Sequence, residues 1–184
     1  MEIEQLPLAG ALLLVPRTFN DERGFFKETY SRERYRGCGV KETFVQDNLS
    51  RSHRNVLRGL HGDARMAKLI GVVHGSAFDV IVDVRPRSPT YRRWYGTRLT
   101  ADEGCQLYVP RGFLHGFLAL EDETIFAYKQ SAPYEPSTEY AIAWDDPDLE
   151  IEWPLGGRQP TLSGRDARAP SLREFEERNK RRRG

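Results

Sequence analysis

The chain has 184 residues, of which 39% are hydrophobic and 30% are charged, and its formal net charge is +1. At about 150 residues per domain, this length predicts one domain over residues 1–184 with a core that needs no disulfides. The balanced charge argues against a nucleic-acid partner, and the two cysteines, Cys38 and Cys105, are too few for a thiolate zinc site.

We expect no membrane or secretion signal in the first residues of the sequence. The longest apolar run, at 9–15, is far shorter than the ~20 residues that a membrane-spanning helix needs. Residues 1–4 are acidic where a secretory signal would be basic. We therefore expect a soluble cytoplasmic protein with no membrane partner.

Short runs rich in Val, Ile, Phe and Tyr recur between glycines and prolines along the chain, a pattern typical of many short strands. The clearest run, 78–84, alternates Phe78, Val80, Val82 and Val84 with Asp79, Ile81 and Asp83. In chain order, the predicted strands are 12–15, 25–30, 43–48, 56–61, 68–73, 78–84, 94–99, 106–109, 116–120, 124–130 and 140–144.

Helix signals are sparse. Ser31 predicts the start of one helical turn that Gly37 ends, and Ser171 with Glu174 has the form of a capping box near the end of the chain. Many strands with so little helix predict an all-β fold, an antiparallel double sheet of jelly-roll type with short peripheral helices.

Two of the four histidines stand out from the sequence pattern. His53 and His74 fall in polar turns, whereas His61 ends a predicted strand and His115 follows a Pro-Arg-Gly turn into another. In the 56–61 strand, alternation places His61 on the face opposite Arg58. A histidine packed in the core is the more ordinary explanation for either His61 or His115.

One alternative is a metal site. His61, Asp63 and His115 have the composition of the two-histidine, one-carboxylate triad that holds non-haem iron, which would suit an oxygenase. These are three common residues at a permissive spacing, so the indication is weak.

The other alternative is proton transfer, for which a histidine paired with a carboxylate and a tyrosine supply a base and an acid. Tyr128 shares a strand face with Phe126 and Gln130, Lys68 starts a strand, and Asp166 lies in a turn. Each has an ordinary structural explanation, and spacing alone does not unite them.

An ordered set of motifs between residues 15 and 172 is more specific. It includes DERGFFKE at 21–28, FVQDN at 44–48, VLRGLH at 56–61, PRGFLHGF at 110–117 and LSGRD at 162–166. The set resembles the nucleotide-sugar epimerase family typified by dTDP-4-dehydrorhamnose 3,5-epimerase. The resemblance implies a cupin-type fold, a homodimer that exchanges N-terminal strands, and no metal or organic cofactor.

The resemblance also implies roles for individual residues. His61 is expected to be the catalytic base, oriented by Asp166, with Tyr128 as the opposing acid and Lys68 stabilising the charged oxygen. The expected substrate-binding residues are Arg58 and His115 in the pocket and, around the nucleotide and sugar, Arg23, Glu28, Gln46, Asn48 and Tyr134. The implied reaction inverts carbons 3 and 5 of a nucleoside-diphosphate 4-keto-6-deoxy sugar through an enolate.

The loop at 62–67 departs from the family, being shorter and different in sequence. His-Gly-Asp at 61–63, with Tyr91 and Trp94, is similar to members that act on GDP-linked 4-keto heptoses. Inversion of carbon 3 alone and a catalytically silent binding module also stay open. The basic tail at 178–183 is expected to be a solvated end, because no aromatic residue interrupts it.

Overall fold

Two antiparallel sheets form the body of the molecule, which the computed structural model describes for residues 1–181, with side chains through residue 179. The strands are β1 Glu2–Gln5, β2 Leu12–Val15, β3 Thr18–Asp21, β4 Gly24–Lys27, β5 Gln46–Ser52, β6 Leu57–Gly62, β7 Lys68–His74, β8 Ser76–Asp83, β9 Trp94–Thr100, β10 Gln106–Val109, β11 Phe113–Ala119, β12 Thr124–Gln130 and β13 Tyr140–Ala141. Two α-helices, α1 Arg32–Gly37 and α2 Leu172–Arg181, and a 3₁₀ turn, Asp166–Arg168, complete it.

The six-stranded sheet has the order β1-β2-β10-β7-β12-β5, and the five-stranded sheet has the order β13-β6-β11-β8-β9. A separate hairpin pairs β3 with β4. The paired strands are antiparallel throughout both sheets. The predicted all-β double sheet with short helices is therefore confirmed.

Strands without an apolar pattern are the ones that the sequence did not predict. β1 is an exposed edge strand of mostly polar residues, and β3 is an exposed strand of the hairpin. β5 runs from Gln46 to Ser52 rather than over 43–48, because its polar Ser and Arg residues still pair with β12 along its whole length. Backbone pairing, not hydrophobicity, fixes these three strands.

The sheets enclose an apolar core that includes Ile70, Ile81 and Leu107. The core ends in two stacked rings, Phe117 of β11 and Phe126 of β12, whose centroids are 4.0 Å apart. Because these rings come from opposite sheets, they close the space between the sheets and separate the core from a polar cavity beyond them.

Each helix covers one sheet. Tyr35 of α1 packs against Leu12, Leu14 and Tyr108 of the six-stranded sheet. Leu172 of α2 packs in a cluster that covers the outer face of the five-stranded sheet. No helix within residues 1–181 has the length and apolar character needed to cross a membrane.

The predicted capping box of α2 is confirmed. The Ser171 backbone N–H donates to Glu174 Oε2 at 2.8 Å, and the Glu174 N–H donates to Ser171 Oγ at 3.3 Å. The basic tail that follows continues past residue 181, so its end lies outside the described residues.

A bulge interrupts β6 where it pairs with β11. His61 pairs with His115 and Arg58 pairs with Phe117, so β6 holds one extra residue. Gly59 sits in this bulge with φ of +128°. The prediction that Arg58 faces away from His61 is therefore wrong, because the extra residue turns both side chains into the same cavity.

We expect Gly59→Ala to lower the free energy of unfolding by about 2–4 kcal/mol, through strain at positive φ and overpacking. An added Cβ would lie 2.5 Å from the Gly116 Cα. Gly71→Ala is the matched control, since its Cβ would lie 3.5 Å from Gln106 Cγ, an ordinary van der Waals contact. Urea unfolding checks both variants, and equal stabilities would contradict the role given to the bulge.

Candidate active site

A cavity of about 470 Å³ lies between the two sheets beyond the Phe117–Phe126 pair. Strands β6 and β11 of one sheet and β5, β7 and β12 of the other line it, together with residues 161–166. The lining residues predicted from the sequence are Arg58, His61, Lys68, His115, Tyr128, Tyr134 and Asp166. The topology thus gathers seven candidates that are far apart in the sequence.

His61 and Asp166 form a close pair of titratable side chains in the cavity, with His61 Nε2 2.6 Å from Asp166 Oδ1. The segment that carries Asp166 is held beside β6 by backbone bonds: the Leu57 N–H donates to the Thr161 carbonyl, and the Thr161 N–H donates to the Asn55 carbonyl. Asp166 then begins the 3₁₀ turn and is 4% exposed.

The charge of Asp166 decides which nitrogen of His61 carries hydrogen. Burial would raise the pKa of Asp166, but hydrogen bonds from His61 and Ser163 and the charge of Arg165 outweigh it and lower that pKa. An ionised carboxylate can only accept, so His61 Nε2 donates and Nδ1 is left to take up a proton. This is the arrangement that a histidine base requires.

Tyr128 and Lys68 enter the cavity from the opposite sheet. Tyr128 lies on β12 with Phe126 and Gln130. All three line the cavity, so they share one strand face as predicted, and Lys68 begins β7 as predicted. Burial raises the pKa of Tyr128, so its phenol stays protonated at neutral pH. Burial lowers the pKa of Lys68, against the opposing charges of Glu139, Asp79 and Asp63.

His115 belongs to a second histidine–aspartate pair. Its Nε2 lies 2.8 Å from Oδ2 of Asp79, which is fully buried on β8. Burial lowers the pKa of His115, and the Asp79 charge only partly opposes this, so the imidazole is neutral at neutral pH. Asp79 Oδ1 has no hydrogen-bond partner within the described residues.

Two cations and a carboxylate stand at the cavity wall. The Arg58 guanidinium is held by Ser52 Oγ and the Arg51 carbonyl, each 3.1 Å away. Arg165 Nη1 pairs with Glu139 Oε2 at 2.5 Å, and the Tyr134 hydroxyl donates to the same oxygen at 3.2 Å. A cavity with this many donors suits an anionic, oxygen-rich ligand.

Comparison with known proteins agrees with this geometry. A family model described as dTDP-4-dehydrorhamnose 3,5-epimerase matches residues 5–174. The protein of that name from Salmonella typhimurium is 44% identical, over 94% of this chain and 96% of its own length. The chain belongs to the dTDP-4-dehydrorhamnose 3,5-epimerase family. The family and isomerase class expected from the motifs are thereby confirmed.

Solved structures of this epimerase family have the same fold. The Legionella pneumophila enzyme RmlC, in complex with dTDP-4-keto-L-rhamnose, superimposes with a TM-score of 0.91 at 40% identity, covering 96% of this chain and 95% of its own. ChmJ, a 3′-monoepimerase from Streptomyces bikiniensis in complex with dTDP-quinovose, gives a TM-score of 0.89 at 35% identity, covering 95% and 89%. The cupin-type jelly roll predicted from the sequence is confirmed.

Four predicted substrate-binding residues of this family member lie outside the cavity wall. Gln46 is close to it, since its Oε1 accepts from the Tyr134 N–H at 2.9 Å and its Nε2 donates to Asn48 at 2.8 Å. Arg23 pairs with Asp21 in the exposed β3–β4 hairpin, and Glu28 pairs with Arg34. Their roles stay predictions.

The sequence did not predict three charged residues at the site, namely Asp79, Glu139 and Arg165. The sequence predicts only a strand face for Asp79 and no role in the site. Its place in a run of valines nevertheless indicates burial, and a buried carboxylate needs a hydrogen-bonding or charged partner. Nothing in the sequence pattern indicates that Glu139 meets Arg165.

The iron alternative is not supported by the positions of its proposed ligands. Both carboxylate oxygens of Asp63 are engaged, by Arg65 and by Thr138. Within residues 1–181, no group of three or more His, Cys, Asp or Glu side chains is arranged to hold a metal ion. His61 instead points Nε2 at Asp166.

Proposed function

We propose that this protein inverts carbons 3 and 5 of a dTDP-linked 4-keto-6-deoxy sugar, in keeping with the name of its family, and that it does so without a cofactor. The observation that carries the proposal is that His61 and Tyr128 line one cavity from opposite sheets. Inversion requires that a proton leaves one face of a carbon and returns to the other face, so the base and the acid must flank the sugar ring.

His61 takes the proton in the first step. A ketone at carbon 4 acidifies the protons on carbons 3 and 5, because loss of either proton gives an enolate. Nδ1 of His61 accepts that proton, and the ionised Asp166, 2.6 Å from Nε2, stabilises the imidazolium that forms. A general base positioned in this way contributes about 10²–10⁴-fold to the rate.

Lys68 stabilises the enolate oxygen. Its lowered pKa makes the ammonium a stronger acid, and therefore a better hydrogen-bond donor, than a lysine in water. A donor already in place before the reaction contributes about 10²–10³-fold.

Tyr128 completes the inversion. Its phenol stays protonated at neutral pH and donates a proton to the ring face opposite His61. The enolate carbon takes up the proton and the carbon–oxygen double bond re-forms. Once His61 has released its proton to solvent and the Tyr128 phenolate has taken one up, the same cycle at the second carbon gives the 3,5-inverted product.

The test is deuterium exchange with dTDP-4-keto-6-deoxyglucose in heavy water, followed by NMR at carbons 3 and 5. We expect deuterium at both carbons. His61→Ala should abolish exchange, whereas Tyr128→Phe should retain exchange but lose inversion. His74→Ala and Tyr108→Phe are matched controls outside the cavity, and each should behave as the unmodified protein.

Other results of the exchange experiment would change the proposal in distinct ways. Exchange at carbon 3 alone would replace the proposal with a 3-only epimerase, the activity named for ChmJ. Exchange only with a GDP-linked 4-keto heptose would change the substrate, and binding without exchange would indicate a silent module. Full activity of His61→Ala would show that the base is misassigned.

Asp166→Asn should lower kcat by roughly 10³–10⁴-fold, because an amide can donate to Nε2 and so stabilise the wrong tautomer of His61. Asp146→Asn is the matched control, since Asp146 is also buried but accepts from the Leu172 N–H outside the cavity. Steady-state kinetics check both variants, and an equal loss in both would mean that Asp166 only supports folding.

We also propose that the protein is a homodimer whose partner subunit completes the nucleotide site. Exposed apolar side chains support this: Leu49 and Val73 on the outer face of the six-stranded sheet, and Phe25 and Phe26 on the hairpin, are 53–72% exposed. Arg23 of the same hairpin does not reach the cavity of its own chain. The cytoplasmic location also stays a prediction.

Mixing two inactive variants tests this arrangement. If Arg23 serves the partner's cavity, dimers of His61→Ala with Arg23→Ala contain one intact site, and up to about a quarter of the activity should return after subunit exchange. Light scattering should give the mass of two chains. No recovery, with a dimer mass, would place Arg23 outside the partner's site.

A further inference from the structure

One wall of the cavity is an irregular segment, residues 131–139, which we call the strap. It precedes β13 and supplies Tyr134 and Glu139 to the cavity lining. Residues 133–137 are all exposed, so packing in the core does not hold them. The position of the strap must instead come from polar contacts.

The short loop at 62–67 holds the strap near both of its ends. At the start, the Ser131 N–H donates to the Ala67 carbonyl at 3.0 Å and the Ala67 N–H donates to Ser131 Oγ at 2.8 Å. Near the end, Thr138 Oγ1 donates to Asp63 Oδ2 at 2.7 Å. This loop also joins His61 to Lys68, so one short connection borders the base, the lysine and the strap.

Asp63 is the centre of the second attachment, which we call the clasp and which consists of Asp63, Arg65 and Thr138. Asp63 is 4% exposed and accepts from the Arg65 N–H at 2.8 Å and from Arg65 Nη2 at 2.8 Å. Arg65 Nη2 also donates to Thr138 Oγ1 at 2.6 Å. The three groups therefore form a closed ring of charge-assisted hydrogen bonds.

Asp63 and Arg65 of the clasp are both charged at neutral pH. Burial would raise the pKa of Asp63, but the hydrogen bonds from Arg65 and Thr138 outweigh it and keep that pKa below its ordinary value. Asp63 itself does not line the cavity. It contacts the site through the loop and the strap, and its charge also opposes the lowering of the Lys68 pKa, after the charges of Glu139 and Asp79.

We propose that Asp63 is a positioning residue for substrate binding, which acts through Arg65 and Thr138 to hold the strap as a wall of the nucleotide-sugar site. The proposal rests on the proposed function only in that the cavity receives a nucleotide sugar. His61 Nε2, Asp166 and Tyr128 are held by contacts that do not involve the clasp. The clasp therefore governs binding more than the proton transfers, on which Asp63 acts only through the smallest of the three opposing charges on Lys68.

The chain contains a matched control, because Asp83 and Arg85 repeat the same arrangement away from the cavity. Asp83 Oδ1 accepts from the Arg85 N–H at 3.0 Å, and Asp83 Oδ2 accepts from Arg85 Nη2 at 2.7 Å and from Thr90 Oγ1 at 2.7 Å. Asp83 is fully buried and does not line the cavity. It has the structural role of Asp63 without the strap.

The experiment compares Asp63→Asn with Asp83→Asn, using dTDP as the binding probe in calorimetry and dTDP-4-keto-6-deoxyglucose in kinetics. We expect Asp63→Asn to raise the Kd for dTDP and the KM about tenfold while kcat changes less than about threefold, from weakening one charge-assisted network. Asp83→Asn should lower the thermal midpoint and leave Kd and KM unchanged.

Thr138→Val keeps the proposal testable if Asp63→Asn does not fold, because it removes only the hydroxyl that joins the clasp to the strap. It should raise Kd and KM in the same direction, and Thr90→Val should not. Unchanged Kd and KM in the folded clasp variants would overturn the proposal. If the unmodified protein binds dTDP but turns over no ketosugar, the proposed reaction fails while the Kd comparison still tests the clasp.

Discussion

The close approach of β6 and β11 is the constraint on which the site depends. Gly59 and Gly116 face each other there, with no space for a Cβ on Gly59 and little on Gly116. This lets β6 hold one extra residue, and the extra residue turns Arg58 and His61 inward together. Without it, simple alternation would leave the cavity with either the guanidinium or the imidazole, but not both.

The cavity concentrates charge among side chains of which several are buried, such as Asp79 and Asp166, which are 0% and 4% exposed. Two histidine–aspartate pairs and Lys68 share it, and each electrostatic interaction is stronger there than in bulk water. Ser50 Oγ and Gln130 Oε1, both on the wall, are buried without a hydrogen-bond partner in the described structure. Such atoms cost free energy in the folded chain, and a polar ligand would recover part of that cost. The site is thus organised before a ligand arrives.

Sequence pattern predicted the elements that carry an apolar signal, whether a continuous run as in β2 or an apolar face as in β8 and β12, because burial selects apolar side chains at those positions. It did not predict β1 or β3, whose exposed polar residues are strands only through backbone pairing. The ordered motifs predicted the seven residues that line the cavity, whereas spacing alone did not unite them. The bulge left one local sign, a glycine inside a strand pattern at Gly59. The Glu139–Arg165 pair left none, because it arises from a contact between distant segments.

The stacked pair of Phe117 and Phe126 belongs to the apolar core and to the cavity at once. A substitution that deepens the pocket therefore also lowers the stability of the fold, because replacing either ring by a smaller side chain to admit a bulkier sugar would leave a void in the core. New substrate preferences can arise with less loss of stability at the strap, whose residues 133–137 are exposed and belong to neither sheet. Related proteins with other substrates should then differ in sequence on the solvent-facing side of the cavity and keep the two stacked rings at its inner end.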